Sequence, residues 1–300
     1  MTFAVVFALA AAFSSAVNLM TQHAASISAP QQEKGWRLAV YLVRQPLWLL
    51  GGAAAVGTFV FQALALHFGP LSVVQPILIT ELVFVLVLRR VWIHQDVAGA
   101  AWGAVLVVCA ALGVFLAAAE PTGGHPGAET ARWLSAVLVF GGAIAVLALL
   151  GRSGAPARRA GVLAAAAAIA WSLEATFLKA ATQTLATFGL GGMLIRWPIY
   201  AMIGATVTGT VLQQAALHVG PLSVSQPVMV ITDPLVSIVL SVWVFAEHFT
   251  NSLVQIAIGG ASFAVMGAGV VVLTRTAPED LAPSRSPRQG EENAAEGGGA

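Results

Sequence analysis

Apolar residues fill this chain in long unbroken runs, separated by short polar or Gly-Pro punctuation. Neither the alternation of a half-buried strand nor the one-sided stripe of a soluble helix is present, so the runs are helices apolar on every face. A bilayer core about 30 Å thick needs about 20 apolar residues per helix. Nine segments meet that, at approximately 2–22, 47–68, 70–91, 97–118, 132–150, 160–181, 194–218, 221–246 and 253–274. The 23–45 connection, with Glu33, Lys34, Trp36, Arg37 and Arg44, is too charged to span and reads as an interfacial amphipathic helix. The run from Thr2 to Met20 has no basic residue before it and no well-placed small-residue cleavage site, which predicts a retained first span rather than a signal peptide. Beyond Arg275 the chain turns to Pro, Ser, Glu and Gly, the composition of a disordered tail.

One stretch is written twice. Leu66-His67-Phe68-Gly69-Pro70-Leu71-Ser72-Val73-Val74-Gln75-Pro76 returns as Leu217-His218-Val219-Gly220-Pro221-Leu222-Ser223-Val224-Ser225-Gln226-Pro227, identical at nine of eleven positions. The Gly tolerates a left-handed helix end and the Pro opens the next helix, so each copy is a tight helical hairpin. The second proline of each, Pro76 and Pro227, removes a backbone hydrogen bond inside the new helix and is a predicted kink and hinge.

The duplication extends further. Arg44, Pro46, Gly52, Gly57 and Thr58 recur as Arg196, Pro198, Gly204, Gly209 and Thr210; Gln62 pairs with Gln213, His67 with His218, and Thr80-Glu81 with Thr232-Asp233. Phe13-Ser14 stands opposite Trp171-Ser172. The expected fold is an all-α polytopic membrane protein of nine transmembrane helices, in two inverted four-helix repeats joined by a connector helix. Residues 1–120 form the first repeat, 121–157 the connector with the fifth helix, 158–275 the second repeat and 276–300 a cytoplasmic tail. A single connecting span inverts the second repeat, the arrangement used by alternating-access transporters.

Composition agrees. Of 300 residues 58% are hydrophobic and only 9% charged, against about 25% charged in soluble proteins, and the mean hydropathy is +0.85. A net charge of +1 gives no reason for a nucleic-acid partner, and the single cysteine, Cys109, allows no internal disulfide. Lys34, Arg37, Arg44, Arg89, Arg90, Arg152, Arg158, Arg159, Arg275, Arg285 and Arg288 fall on one side of the nine-span arrangement, and only Arg132, Lys179 and Arg196 on the other. By the positive-inside rule the N-terminus is outside and the C-terminus cytoplasmic, in a multi-pass protein of the cell membrane.

Paired four-to-five-span repeats ending in Gly-rich helices resemble the drug/metabolite transporter (DMT) superfamily of EamA-like membrane transporters. Ala246-Glu247-His248 stands where that superfamily often carries a Gly-Glu pair. Within it, the first 120 residues look like the NIPA-type magnesium transporters: Ser14-Ser15, Pro46-Leu47-Trp48, Gly69-Pro70, Pro76 and the closing Ala119-Glu120-Pro121. The resemblance implies a transporter of that superfamily, and its NIPA branch implies Mg²⁺ as cargo. The chain departs from the NIPA-type pattern in span two, where Phe59 holds the position of a Glu and Gln62 that of an Asn; Gln95 stands near a Glu lost from the first repeat. Since Mg²⁺ wants carboxylates and water in an octahedron, losing the span-two acid weakens that reading.

Three acids fall near mid-membrane: Glu81, Glu174 and Asp233. An ionised acid at a helix centre costs on the order of 2.5–3.5 kcal/mol, so each is paired, hydrated or protonated. A carboxyl that loads and releases a proton is a coupling element, and these three are the candidate substrate and proton-coupling residues; the bland reading is neutral hydrogen-bonding glue between helices. One residue of register separates Glu81 from Asp233, five after Pro76 against six after Pro227, which leaves open whether they face one cavity. Asn18, Gln62, Gln213 and Gln214, with Thr206, Thr208 and Thr210, supply uncharged polar groups for a cavity, while Trp102, Trp171 and Trp243 could stack on a flat or cationic solute. Lys179 and Arg196 read as interfacial anchors, with holding an anionic substrate at the cavity mouth the alternative for Arg196, and His67 and His218 as helix C-terminal caps, with proton gating the alternative.

No phosphate-cradling loop, metal-spaced Cys/His cluster or nucleophile with a base is present, so neither an enzyme, nor a cofactor, nor a resident metal is expected. The expected function is secondary active transport of a small polar or cationic metabolite or drug, coupled to protons. Two readings compete with it: divalent-cation transport, and a non-transporting membrane scaffold or assembly partner. The partners are then a small-molecule or ion substrate and the lipid bilayer, and the pattern allows a homodimer. A scaffold would disperse or seal the three acids, whereas a transporter would bring at least two into one central space.

Overall fold

The computed structural model describes residues 1–27, 45–92, 94, 99–118, 121–122, 130–220, 222–249 and 252–276. The predicted amphipathic segment within 28–44, Gln95 and the tail beyond 276 lie outside the described residues. The described residues are helical almost throughout: α1 Thr2–Ile27, α2 Pro46–Phe68, α3 Leu71–Leu78, α4 Glu81–Val91, α5 Gly99–Ala118, α6 Thr130–Leu150, α7 Pro156–Leu194, α8 Trp197–Val219, α9 Leu222–Phe245 and α10 Leu253–Thr276. A two-residue antiparallel ladder, β1 Pro121–Thr122 with β2 His248–Phe249, ties the segment after α5 to the segment after α9.

Among the described residues eight helical stretches are long and apolar enough to cross a bilayer, with α3 and α4 together forming one of them, and they mark a membrane-embedded protein. The expected seventh span, α8, is 23 residues long but is not among those eight. Its three threonines and the Gln213-Gln214 pair dilute the hydropathy that length alone would have given it.

Packing follows a pattern. α1 lies along α2 and against α3 and α4; α7 lies along α8 and against α9; α5 packs on α10; and α6 leans mainly on α7, burying Ala136. The Gly-Pro corners differ from expectation in their cause. Gly69 has φ −145° and Gly220 φ −156°, extended backbone open to any residue, so neither supplies a left-handed helix end. What each supplies is missing bulk. A Cβ on Gly69 would lie 2.5 Å from the Ala4 Cβ of α1, and one on Gly220 would lie 2.5 Å from the Pro156 carbonyl oxygen and 2.7 Å from the Ala160 Cβ of α7. Glycine is required there for close approach. Positive φ is needed elsewhere, at Gly189 (φ +69°), where α7 breaks its helical path.

The two prolines act differently. Beyond Pro76 the helix opens: Ile79 and Thr80 form a turn in which Ile79 N–H bonds the Pro76 carbonyl and Thr80 N–H the Ile77 carbonyl, and α4 starts afresh at Glu81. α9 runs unbroken through both Pro227 and Pro234. A buried apolar cluster fills the end of the bundle around the first corner, where Leu66, Leu71, Val74, Phe177, Leu240 and Phe245 meet. Trp133 stacks on Phe177 and meets Trp197 and Phe245 edge-on beside it.

Candidate functional site

A cavity of about 690 Å³ opens between α1, α2, α3–α4, α7, α8 and α9, and Glu81, Glu174 and Asp233 all line it. Its size is that of small-molecule sites, roughly 300–1,000 Å³. Each acid arrives by a different local device. Glu81 is the first residue of α4, delivered by the turn that Pro76 imposes. Asp233 precedes Pro234 within α9, and Glu174 sits on the buried stretch of α7 that runs from Ala166 to Ala181 with only Trp171 less than buried.

The acids have different neighbours. Ser15 on α1 borders the cavity beside Glu81 as its side-chain neighbour. The Ser172 hydroxyl on α7 donates to Asp233 Oδ1 at 2.7 Å, with Ser237 a longer donor at 3.4 Å. Each of these two acids thus has a serine beside it from the helix that leads its half of the chain. Glu174 has no such donor among the described residues, and the charged group nearest to it in effect is Asp233.

Amides line the cavity in corresponding pairs. Gln62 and Gln213 both face it, as do Gln75 and Gln226, the residues before the two repeated prolines. Trp171 also lines it, with its indole N–H donating to Gln213 Oε1 at 3.1 Å. Of the other expected polar residues, Thr206 is in the wall, while Asn18 and Gln214 are not among the lining residues, and Gln214, Thr208 and Thr210 are exposed on α8. Pro76 and Pro227 lie behind the wall rather than in it. Trp102 does not line the cavity, and exposed Trp243 bonds Ser135 on α6. His67, His218 and Arg196 are exposed at helix ends, Arg196 over the Phe188 ring at 3.6 Å. Among the described residues no group of three or more His, Cys, Asp or Glu is gathered closely enough to hold a metal ion.

One expectation is overturned. Lys179 does not reach out to headgroups: it is 7% exposed and its Nζ lies 2.6 Å from Glu247 Oε1. Glu247, just past the last span residue Phe245, is fully buried. It also accepts the Leu71 N–H at 3.0 Å, the Ser72 N–H at 3.3 Å and the Ser72 hydroxyl at 2.8 Å. The need arises from sequence. Pro70 at the start of α3 has no capping side chain, so the first N–H groups of that helix are orphans. A carboxylate there satisfies them and meets the positive end of the helix dipole. Burial acts to raise the Glu247 carboxyl, but the Lys179 ammonium and the donors from Lys179, Ser72 and Leu71 outweigh it and hold the group below the usual carboxylate range. Lys179 also sits 4.7 Å above the Phe245 ring.

None of Leu71, Ser72, Lys179, Phe245 or Glu247 lines the cavity, whose wall on α7 ends at Glu174 and on α9 at Pro234. The end of the bundle at the first corner is therefore plugged by apolar packing and an ion pair, and the cavity lies beyond the plug.

The class this defines is a membrane-embedded helical protein with an acid-lined cavity. Along 284 residues the chain is 28% identical to an uncharacterised protein of Corynebacterium glutamicum, an alignment covering 91% of this chain and 95% of that one. No family model matches it, and no solved structure does.

Proposed function

We propose that the protein is a secondary active transporter of the drug/metabolite class, moving a small polar or cationic solute across the cytoplasmic membrane by alternating access coupled to protons. The observation that carries this reading is the convergence of Glu81, Glu174 and Asp233 on one cavity. A scaffold has no use for three buried acids around open space, where each costs stability. Inverted repeats are supported by the way the cavity is shared: Gln62 with Gln213, Gln75 with Gln226, and the acids Glu81 and Asp233, each beside a serine, contribute in pairs. That pairing sets Ser15 against Ser172 and Ser14 against Trp171, one residue from the register the sequence suggests. α8 then counts as the seventh span and brings the total to nine, its polar residues excused by the cavity it lines. In this reading the N-terminus is outside, Arg89, Arg90, Arg152, Arg158 and Arg159 face the cytoplasm, and the ion-paired plug closes the outer end.

The test is flux into proteoliposomes, or current on a solid-supported membrane, across amines, amino acids, sugars and Mg²⁺ with and without a proton gradient. A proton-dependent signal lost in Glu81→Gln and in Asp233→Asn is expected. Transport left intact in both variants, or no solute moved at all, overturns the reading.

A further inference from the structure

Glu174 stands apart from the other two acids. It is 7% exposed and borders the cavity, yet no described residue gives it a hydrogen bond or a counter-charge, and what faces it from α9 is another acid, Asp233. A buried carboxyl without a partner is costly unless something that enters the cavity completes it.

The surroundings of Glu174 say what that is. Trp171, three residues earlier, lies on the same face of α7 and also borders the cavity. Its ring is fixed twice: the indole N–H is spent on Gln213, and the ring lies against Gly209, where a Cβ would be 3.1 Å away. The donor is therefore spent and Gly209 covers one face of the ring, so what the ring can offer a ligand is its opposite π-face. A carboxyl beside an immobilised indole is the pairing that binds an ammonium group, through charge on one side and the ring quadrupole on the other. The remaining wall is largely apolar with amides and hydroxyls among it, and among the described residues no Lys, Arg or His lines the cavity. An anion would meet only repulsion there. A divalent metal would find one unpartnered carboxyl, since Glu81 and Asp233 already have serines and no metal-sized cluster of ligands is formed among the described residues.

We infer that the Glu174–Trp171 face of α7 is a binding site for a small monovalent organic cation, an amine or quaternary ammonium. The assignment rests on the proposed transport reading only in taking the cavity as the place where a solute is held.

The test uses the full-length purified protein and calorimetric titration with benzyltrimethylammonium, which is charged at every pH and donates no hydrogen bond. Its neutral isostere neopentylbenzene and MgCl₂ alone are the comparisons. The ammonium binds at least about tenfold more tightly than the isostere. Glu174→Gln weakens it by about thirtyfold or more, Trp171→Leu by about threefold to thirtyfold, while Glu174→Asp keeps most of the affinity and Thr208→Ala, on the exposed face of α8, keeps all of it. Gel filtration and thermal unfolding of Glu174→Gln establish that it is folded. Equal binding of the isostere, binding of Mg²⁺ without the ammonium, or a folded Glu174→Gln that binds as the parent does overturns the assignment. Proton-driven flux of a neutral or zwitterionic solute, without ammonium binding, overturns this assignment and leaves transport standing. Ammonium binding without flux of any solute does the reverse.

Discussion

The ammonium of Lys179 on α7 lies 2.6 Å from Oε1 of Glu247, 68 residues further along the chain, and the same carboxylate caps the first helix turn after the Gly-Pro corner of the other half. Three segments distant in sequence meet on one side chain, and the plug of the bundle is fastened there.

Removing one member of a buried pair strands the other, at a cost of about 3–5 kcal/mol. Glu247→Gln and Lys179→Met should each destabilise the protein by that order, and the double variant by much less than their sum. Ser72→Ala, which leaves the ion pair intact, should cost about 1.5–3 kcal/mol as a lost bond to a charged acceptor. Thermal unfolding in detergent across this double-mutant cycle measures the coupling.

The same carboxylate predicts a pH response with a definite sign. Its folded value lies below its ordinary 4.5, so the unfolded state binds the proton first and stability rises with pH. The contribution of Glu247 is complete above about pH 4.5 and is lost as pH falls through the lower folded value. Unfolding temperature followed downward from pH 7 should show this loss in the parent and a flatter profile in Glu247→Gln.

Close approach at the corners predicts a contrast among glycines. Gly220→Ala would drive a methyl into the Pro156 carbonyl, backbone that cannot step aside, and Gly69→Ala into the Ala4 methyl; each should cost about 1–3 kcal/mol. Gly52→Ala and Gly204→Ala meet nothing within 4 Å and should stay within about 0.5 kcal/mol of the parent. Unfolding midpoints of the four variants decide it.

The plug also predicts sidedness. In a Cys109→Ser background, Thr58→Cys and Gln226→Cys in the cavity wall should react with a membrane-impermeant thiol reagent from the side proposed to be cytoplasmic. Leu66→Cys, packed in the plug, should react from neither. Mass spectrometry of right-side-out and inverted vesicles reads the pattern.

Helices and corners were legible because hydrocarbon-length apolar runs and Gly-Pro pairs are local signals. Asn18 and Gln214 show the limit of that reading: polarity within a span does not say which way a side chain points, and Gln214 faces outward while its neighbour Gln213 faces the cavity. Whether Glu81 and Asp233 share a space depended on how α3 breaks after Pro76 and α9 does not, a tertiary outcome that equal prolines could not reveal. Gln75 and Gln226 were within reach, standing unchanged in both copies of the repeated stretch. The pairing of Lys179 with Glu247 was missed for a different reason. A lone lysine near a span end looks like an anchor, and its partner becomes evident only when the orphan N–H groups of Leu71 and Ser72 are counted and a carboxylate is sought for them.

The interruption at Ile79–Thr80 has a mechanical meaning. A rod jointed beside Glu81 can yield at one point, whereas the unbroken α9 carries Asp233 on a stiff beam. Under alternating access the two end states cannot then be mirror images in energy, even if the halves share an ancestor. The resting orientation of the empty carrier would be written into the chain itself, with the stiff half as frame and the jointed half as the part that swings.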